Sequence, residues 1–153
     1  MFKNILVPVD GSTTSNHAIN NALAIAQAFD GTVTVISVID NYAFTGVGVD
    51  FAYGQSEYLA AATAEATLAM DAAKQQFEAG GVAVTTLLVE GHAVYRGILD
   101  TAKTMGADLI VMGSHGRKGL EKLVLGSVAA QVLSHAGLPV LIVREQGVKD
   151  GST

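Results

Sequence analysis

Short apolar runs alternate along the chain with stripes of helical spacing. The runs Asn4–Val9, Thr32–Ile39, Ala83–Val89, Leu109–Met112 and Val140–Val143 are aliphatic and β-branched, with turn residues around them. Each is nearly continuous in apolar residues, which predicts strands covered on both faces. Between them, Ala18, Ala22, Ala26 and Phe29 recur at helical spacing, with Ser12 or Thr13 as the N-cap. A second stripe over Ser56–Ala79 uses Leu59, Ala62, Ala66, Ala69, Ala73 and Phe77, and Gly80-Gly81 ends it. Val94, Ile98, Ala102 and Met105 mark a third helix, stopped at Gly106. A fourth, about Ser127–Ala136, carries Val128 and Val132 and ends at Gly137.

Strand alternating with helix predicts an α/β domain: a parallel sheet with helices on both faces. Right-handed crossovers leave few strand orders, and 3-2-1-4-5 is favoured for five strands. That order reverses between strands 1 and 4 and opens a crevice at their C-terminal ends. Val9-Asp10-Gly11-Ser12 and Met112-Gly113-Ser114-His115-Gly116 are the segments aimed at it. Asp40–Gln55 fits neither periodicity and is predicted to be a long loop. Its aromatics Tyr42, Phe44, Phe51 and Tyr53 either pin it to the body or cover a ligand or partner. Residues 145–153 are polar and are predicted to form a flexible tail behind a domain of residues 1–144.

Composition narrows the classes. The chain has 153 residues, half of them apolar and 15% charged, which suits one domain with a real core. It contains no cysteine, so disulfides and thiolate metal sites are excluded. The net charge of −5 argues against nucleic acid and anionic lipid as partners. No apolar run approaches the ~18–20 residues that cross a bilayer. The N-terminus begins with a strand pattern and lacks the parts of a signal peptide. These features predict a cytoplasmic protein without membrane insertion.

The chemistry concentrates in MGSHGRKGLEKLVLGSVA, beginning at Met112. Its spacing is Gly113-x2-Gly116-x9-Gly126-Ser127, from the end of strand 4 to the start of the last helix. A strand, a glycine-lined loop and a helix N-terminus can cradle an anion, because free N–H groups and the helix dipole face it. Arg117, Lys118 and Lys122 add local positive charge, and Ser127 offers a hydroxyl. The plainer alternative is a loop with glycines at turns. Gly-x4-Gly-Lys-Ser/Thr is absent, and no Gly-x-Gly-x2-Gly follows strand 1. Asp10 closes strand 1 at the crevice, either as an Asx-turn or cap, or as a hydrogen-bond partner for a ribose or base.

VPVDGS at the start, SVID after strand 2, and MGSHGRKGLEKLVLGSVA followed by PVLIV resemble the universal stress protein family. The resemblance spans roughly residues 1–144, and the glycine spacing is similar to that of its ATP-binding branch. It implies a Rossmann-like, adenine nucleotide alpha hydrolase-like sandwich, usually a homodimer, with a stress-response role. It places Pro8, Val9, Asp10 and the Val38 backbone at the adenosine, and Met112 and Gly113 at the ribose and first phosphate. Gly116, Gly126, Ser127 and Val128 would hold the phosphate chain through main-chain N–H groups, with His115 and Arg117 beside it. ATP, or ADP or AMP, is the implied ligand, with Mg2+ or Mn2+ carried on the phosphates. The implied dimer interface is Pro139, Val140, Leu141, Ile142 and Val143. A further, unidentified protein partner is compatible with a regulatory role.

No catalytic residue is assigned. His115, Asp10 and Arg117 could assist hydrolysis, but His115 serves equally as a loop-fixing or exposed side chain. His17, His92 and His135 are scattered without metal-ligand spacing, and no serine sits in a nucleophile elbow. The leading expectation is a nucleotide-binding regulatory dimer with slow or absent hydrolysis. The alternatives are an ATPase or autophosphorylating enzyme, a structural dimer module with a vestigial pocket, and an FMN carrier.

Overall fold

The computed structural model of the protein describes residues 1–40, 49–115 and 125–144. Within these, five strands and four helices alternate: β1 Asn4–Pro8, α1 Thr13–Phe29, β2 Thr32–Asp40, α2 Val49–Ala79, β3 Val84–Gly91, α3 Val94–Met105, β4 Leu109–Gly113, α4 Ser127–His135 and β5 Val140–Val143. The strands form one parallel sheet of order β3-β2-β1-β4-β5, as predicted.

Period-two alternation divides the apolar residues between two layers. Ile5, Val7, Val33, Val35, Leu109 and Val111 pack with Ala18, Ile19, Ala22 and Ala26 of α1 and Met70, Ala73 and Phe77 of α2. Leu6, Ile36, Ile110 and Met112 face the other way, onto Ile98 and Ala102 of α3 and Ala129 and Val132 of α4. The central strands are therefore apolar on both sides, which explains their continuous runs.

Two differences from the sequence reading stand out. The second helix begins at Val49 instead of Ser56, so residues 49–55 of the predicted loop are helical. Gly54 and the neighbouring aromatics read as loop formers. An isolated glycine costs a helix only about 1 kcal/mol, and proline, the residue that would break it, is absent there. The two edge strands are not covered on both faces: β3 has no fully buried residue and Leu87 is 46% exposed, and in β5 Leu141 is 36% exposed. The rest of the predicted loop (41–48), the segment 116–124 and the tail (145–153) lie outside the described residues. Gly116, Arg117, Lys118 and Lys122 are among these.

One feature of the sheet positions the site. At their N-terminal ends β1 and β4 are bound closely. The Asp108 carboxylate accepts from the Lys3 and Asn4 amides at 2.9 and 3.1 Å, and the Asn4 side-chain amide donates to the Met105 carbonyl at 2.7 Å. The strands then pair only at Ile5↔Leu109 and Leu6↔Ile110. Meanwhile β1 follows β2 up to Pro8, and β4 follows β5 up to Gly113. The sheet thus parts at the C-terminal ends of β1 and β4, the point where the chain reverses its winding. Among the described residues, no helix is long and apolar enough to cross a membrane.

Candidate functional site

A cavity of about 590 Å3 occupies this parting, a size typical of ligand sites. Ten predicted site residues line it: Pro8, Val9, Asp10, Val38, Met112, Gly113, His115, Gly126, Ser127 and Val128. The other two, Gly116 and Arg117, fall outside the described residues. Strand ends supply one wall and the floor, and the first turns of α3 and α4 close the far side.

The β1 end is a tight turn. Gly11 has φ +82°, a left-handed conformation that favours glycine. The Asp10 carboxylate accepts from the Ser12 amide at 2.9 Å, so the Asx-turn reading of this residue is realised. Asp10 is nonetheless exposed and borders the cavity, so the turn holds it there. Ser12 caps α1, its hydroxyl accepting from the Ser15 amide at 3.2 Å.

The glycines at the other end have a different physical basis from the one anticipated. A Cβ on Gly113 would lie 2.8 Å from both the carbonyl carbon and the Cβ of Thr14, and closer still to its hydroxyl. The approaching group is therefore α1 itself. Thr14 is fully buried and its hydroxyl donates to the His115 carbonyl. A Cβ on Gly126 would meet His115 Cα at 3.0 Å and the Ser114 carbonyl oxygen at 3.1 Å. The Gly126 amide donates to that carbonyl at 2.8 Å, so it is already engaged within the protein.

The open donors are one turn further on. Gly126 is the N-cap of α4 and offers no side-chain cap. The amides of Ser127, Val128 and Ala129 therefore start the helix without intrahelical acceptors, and all three residues line the cavity. Helix α3 begins in the same way. Its N-cap is Ala93, with no side-chain cap, and Val94 lines the cavity. Two uncapped helix N-termini thus face one hollow, each carrying a partial positive charge of roughly half an elementary unit. The α4 end suits an anion. The opposite end, around Pro8, Val38, Val94 and Ile98, is mostly aliphatic and suits an uncharged ring system.

Several lining residues escaped the sequence reading. Ser15 and Ser37 are buried serines on the cavity wall beside Ser12, which already stood in a segment aimed at the crevice, and Tyr58 reaches it from α2. Ser37 did carry a signal, because it interrupts the run Val35-Ile36-Ser37-Val38-Ile39 where apolar residues were expected. His17, His92 and His135 do not line the cavity. Among the described residues, no cluster of three His, Cys, Asp or Glu side chains could hold a metal ion. His115 borders the cavity, half-buried.

Comparison with known proteins agrees with this fold. The sequence model of the universal stress protein family matches residues 1–144. Universal stress protein MJ0531 of Methanocaldococcus jannaschii is 38% identical over 146 residues, covering 95% of this chain and 84% of that protein. The solved structure of protein MJ0577 superimposes with a TM-score of 0.83 at 30% identity, over 97% of this chain and 99% of that one. A family member from Arabidopsis thaliana, solved with AMP bound, shares the fold at a TM-score of 0.69 and 16% identity, over 95% of this chain and 93% of that one. The chain belongs to the universal stress protein family.

The contact at Gly113 yields a stability prediction. Gly113→Ala forces a Cβ into Thr14 and is expected to lower unfolding free energy by about 1–3 kcal/mol. Gly137→Ala, where a Cβ meets nothing within 4 Å, serves as the control. Urea unfolding monitored by circular dichroism measures both, and equal midpoints for the two variants would refute the packing account.

Proposed function

We propose that this universal stress protein binds an adenine nucleotide in the crevice, with ATP as the full-length ligand, and works as a homodimeric regulatory factor in a stress response. One observation carries the reading. The uncapped first turn of α4 stands at one end of a hollow whose other end is aliphatic and bordered by Asp10 and Val38. An adenine nucleotide has that polarity, with anionic phosphates at one end and an uncharged base at the other. The AMP bound to the Arabidopsis relative supports the assignment of the base.

In this reading the phosphates meet the amides of Ser127, Val128 and Ala129, with the Ser127 hydroxyl beside them. Asp10, Val38 and the buried serines address the nucleoside. A divalent cation, Mg2+ or Mn2+, would ride on the phosphates themselves and lower their repulsion from an anionic chain. The arrangement is read as a binding site, with nucleotide occupancy as the signal. A slow ATPase is the second reading, because His115 borders the anion-binding end. It requires steady phosphate release that falls in His115→Ala while ATP affinity persists.

The dimer is proposed through β5, whose outer edge is unpaired among the described residues. Leu141 there is 36% exposed. Pairing two such edges would satisfy both and cover Leu141.

Calorimetric titration of the folded protein with Mg·ATP is expected to saturate at one nucleotide per chain, and no saturable binding would remove the reading. Ser127→Pro sharpens the test. Proline is tolerated at the first helical position, and Gly126 already has the extended φ −66°, ψ 160° that a following proline needs. The substitution removes an amide donor and keeps the helix. Ser127→Pro should weaken ATP by about ten- to a hundredfold, since hydrogen bonds to charged groups contribute about 1.5–3 kcal/mol. Ser127→Ala, which removes only the hydroxyl, should lose less, and equal losses would count against main-chain binding. For the assembly, light scattering should give twice the monomer mass for the wild type and the monomer mass for Leu141→Lys. A monomeric wild type would exclude the β5 dimer.

A further inference from the structure

Helix α2 presents one face to the sheet. Ala66, Met70, Ala73 and Phe77 on that face are buried in steps of three or four residues. Stepping back toward the N-terminus by the same spacing reaches Ala62 and then Tyr58. Tyr58 therefore occupies a core-facing position. At that height, however, the core has given way to the cavity, and the half-buried ring borders open volume.

Tyr58 also borders a second hollow of about 230 Å3, between the end of β2 and α2. The two hollows share Asp10, Ser37, Val38, Tyr58 and Val94, so they adjoin. Tyr58 and Val94 come from helices on opposite faces of the sheet and stand on either side of the nucleoside end. Ala62 and Ala66 leave room beside the ring, and the acidic side chains Asp10, Asp40 and Glu65 border the same lobe. A phosphate chain is repelled from such a rim, so the uncharged base is the part of the ligand that enters there.

We propose that Tyr58 is a specificity-determining residue whose ring forms the aromatic wall of the base subsite, opposite Val94, and favours a purine over the smaller pyrimidine. The inference rests on the nucleotide reading above and adds the group that selects the base. A flat aromatic wall rewards overlap with a flat ligand, and a two-ring base overlaps more than a one-ring base. The phenolic hydroxyl is not required for this, so phenylalanine should serve in its place.

The test is calorimetric titration of wild type, Tyr58→Ala and Tyr58→Phe with Mg·ATP and Mg·CTP. Wild type is expected to prefer ATP. Tyr58→Ala should weaken ATP about tenfold, in the range known for base–aromatic stacking, and CTP less, so that the preference narrows. Tyr58→Phe should restore both the ATP affinity and the preference to within about threefold of wild type. The inference is overturned if wild type shows no preference, if Tyr58→Ala binds ATP within about threefold of wild type, or if both nucleotides weaken by the same factor. It is overturned also if Tyr58→Phe fails to restore binding. A wild type that binds neither nucleotide would instead sink the nucleotide reading, and this inference with it.

Discussion

The structure turns on how closely the first turn of α1 approaches the end of β4. Thr14 lies against Gly113 with no space for a Cβ between them. Three successive residues of β4 and its extension then bind three different elements. Gly113 seats α1. The amide of Ser114 donates to the Val143 carbonyl of β5 at 2.9 Å, and its carbonyl accepts from Gly126 ahead of α4. The carbonyl of His115 accepts from Thr14. These contacts set the width of the crevice, because they fix α1 on one side of the parted sheet and α4 on the other. A bulkier residue at Gly113 would move both walls at once.

With the walls fixed, the field inside follows from which helix ends are capped. Three helices start near the crevice, at Thr13, Val94 and Ser127. The first is satisfied internally by Ser12 and by the Asp10 turn. The other two begin behind Ala93 and Gly126, which have no side chain able to cap. At the α4 end, a chain with net charge −5 thus keeps a locally positive surface built from backbone dipoles. The basic residues Arg117, Lys118 and Lys122, from which the sequence reading drew part of its positive charge, lie outside the described residues.

Much of this was legible in the sequence, and the reasons are physical. The strand order could be inferred because double-sided burial leaves continuous apolar runs, and few right-handed connections join five of them. Asp10, Gly113 and Gly126 could be found because chain direction brings strand ends and helix starts to one edge. What could not be read was the identity of the neighbour. Glycine reports closeness without saying what is close, and at Gly113 the neighbour is Thr14, about a hundred positions earlier. Tyr58 looked like an ordinary member of a helical stripe, since nothing in the spacing marks where a core ends and a hollow begins. The start of α2 was missed because a single glycine and a few aromatics are weak evidence of a loop when the remainder of the segment is free to continue the helix.

The same backbone bonds connect the site to the sheet edge. Gly113 lies opposite Val143 in the β4–β5 register, and the Ser114 amide bonds to the Val143 carbonyl. The residue that holds α4 in place through its carbonyl therefore holds the edge strand through its amide. A ligand drawing on the amides of Ser127 to Ala129 pulls on a helix anchored at Ser114. Any movement of that anchor must stretch a hydrogen bond to β5 or carry β5 along with it. Close-packed interiors transmit such displacements because they have little free volume to absorb them. Two hydrogen bonds, Gly126 to Ser114 and Ser114 to Val143, thus join the start of α4 to the edge strand without a long relay.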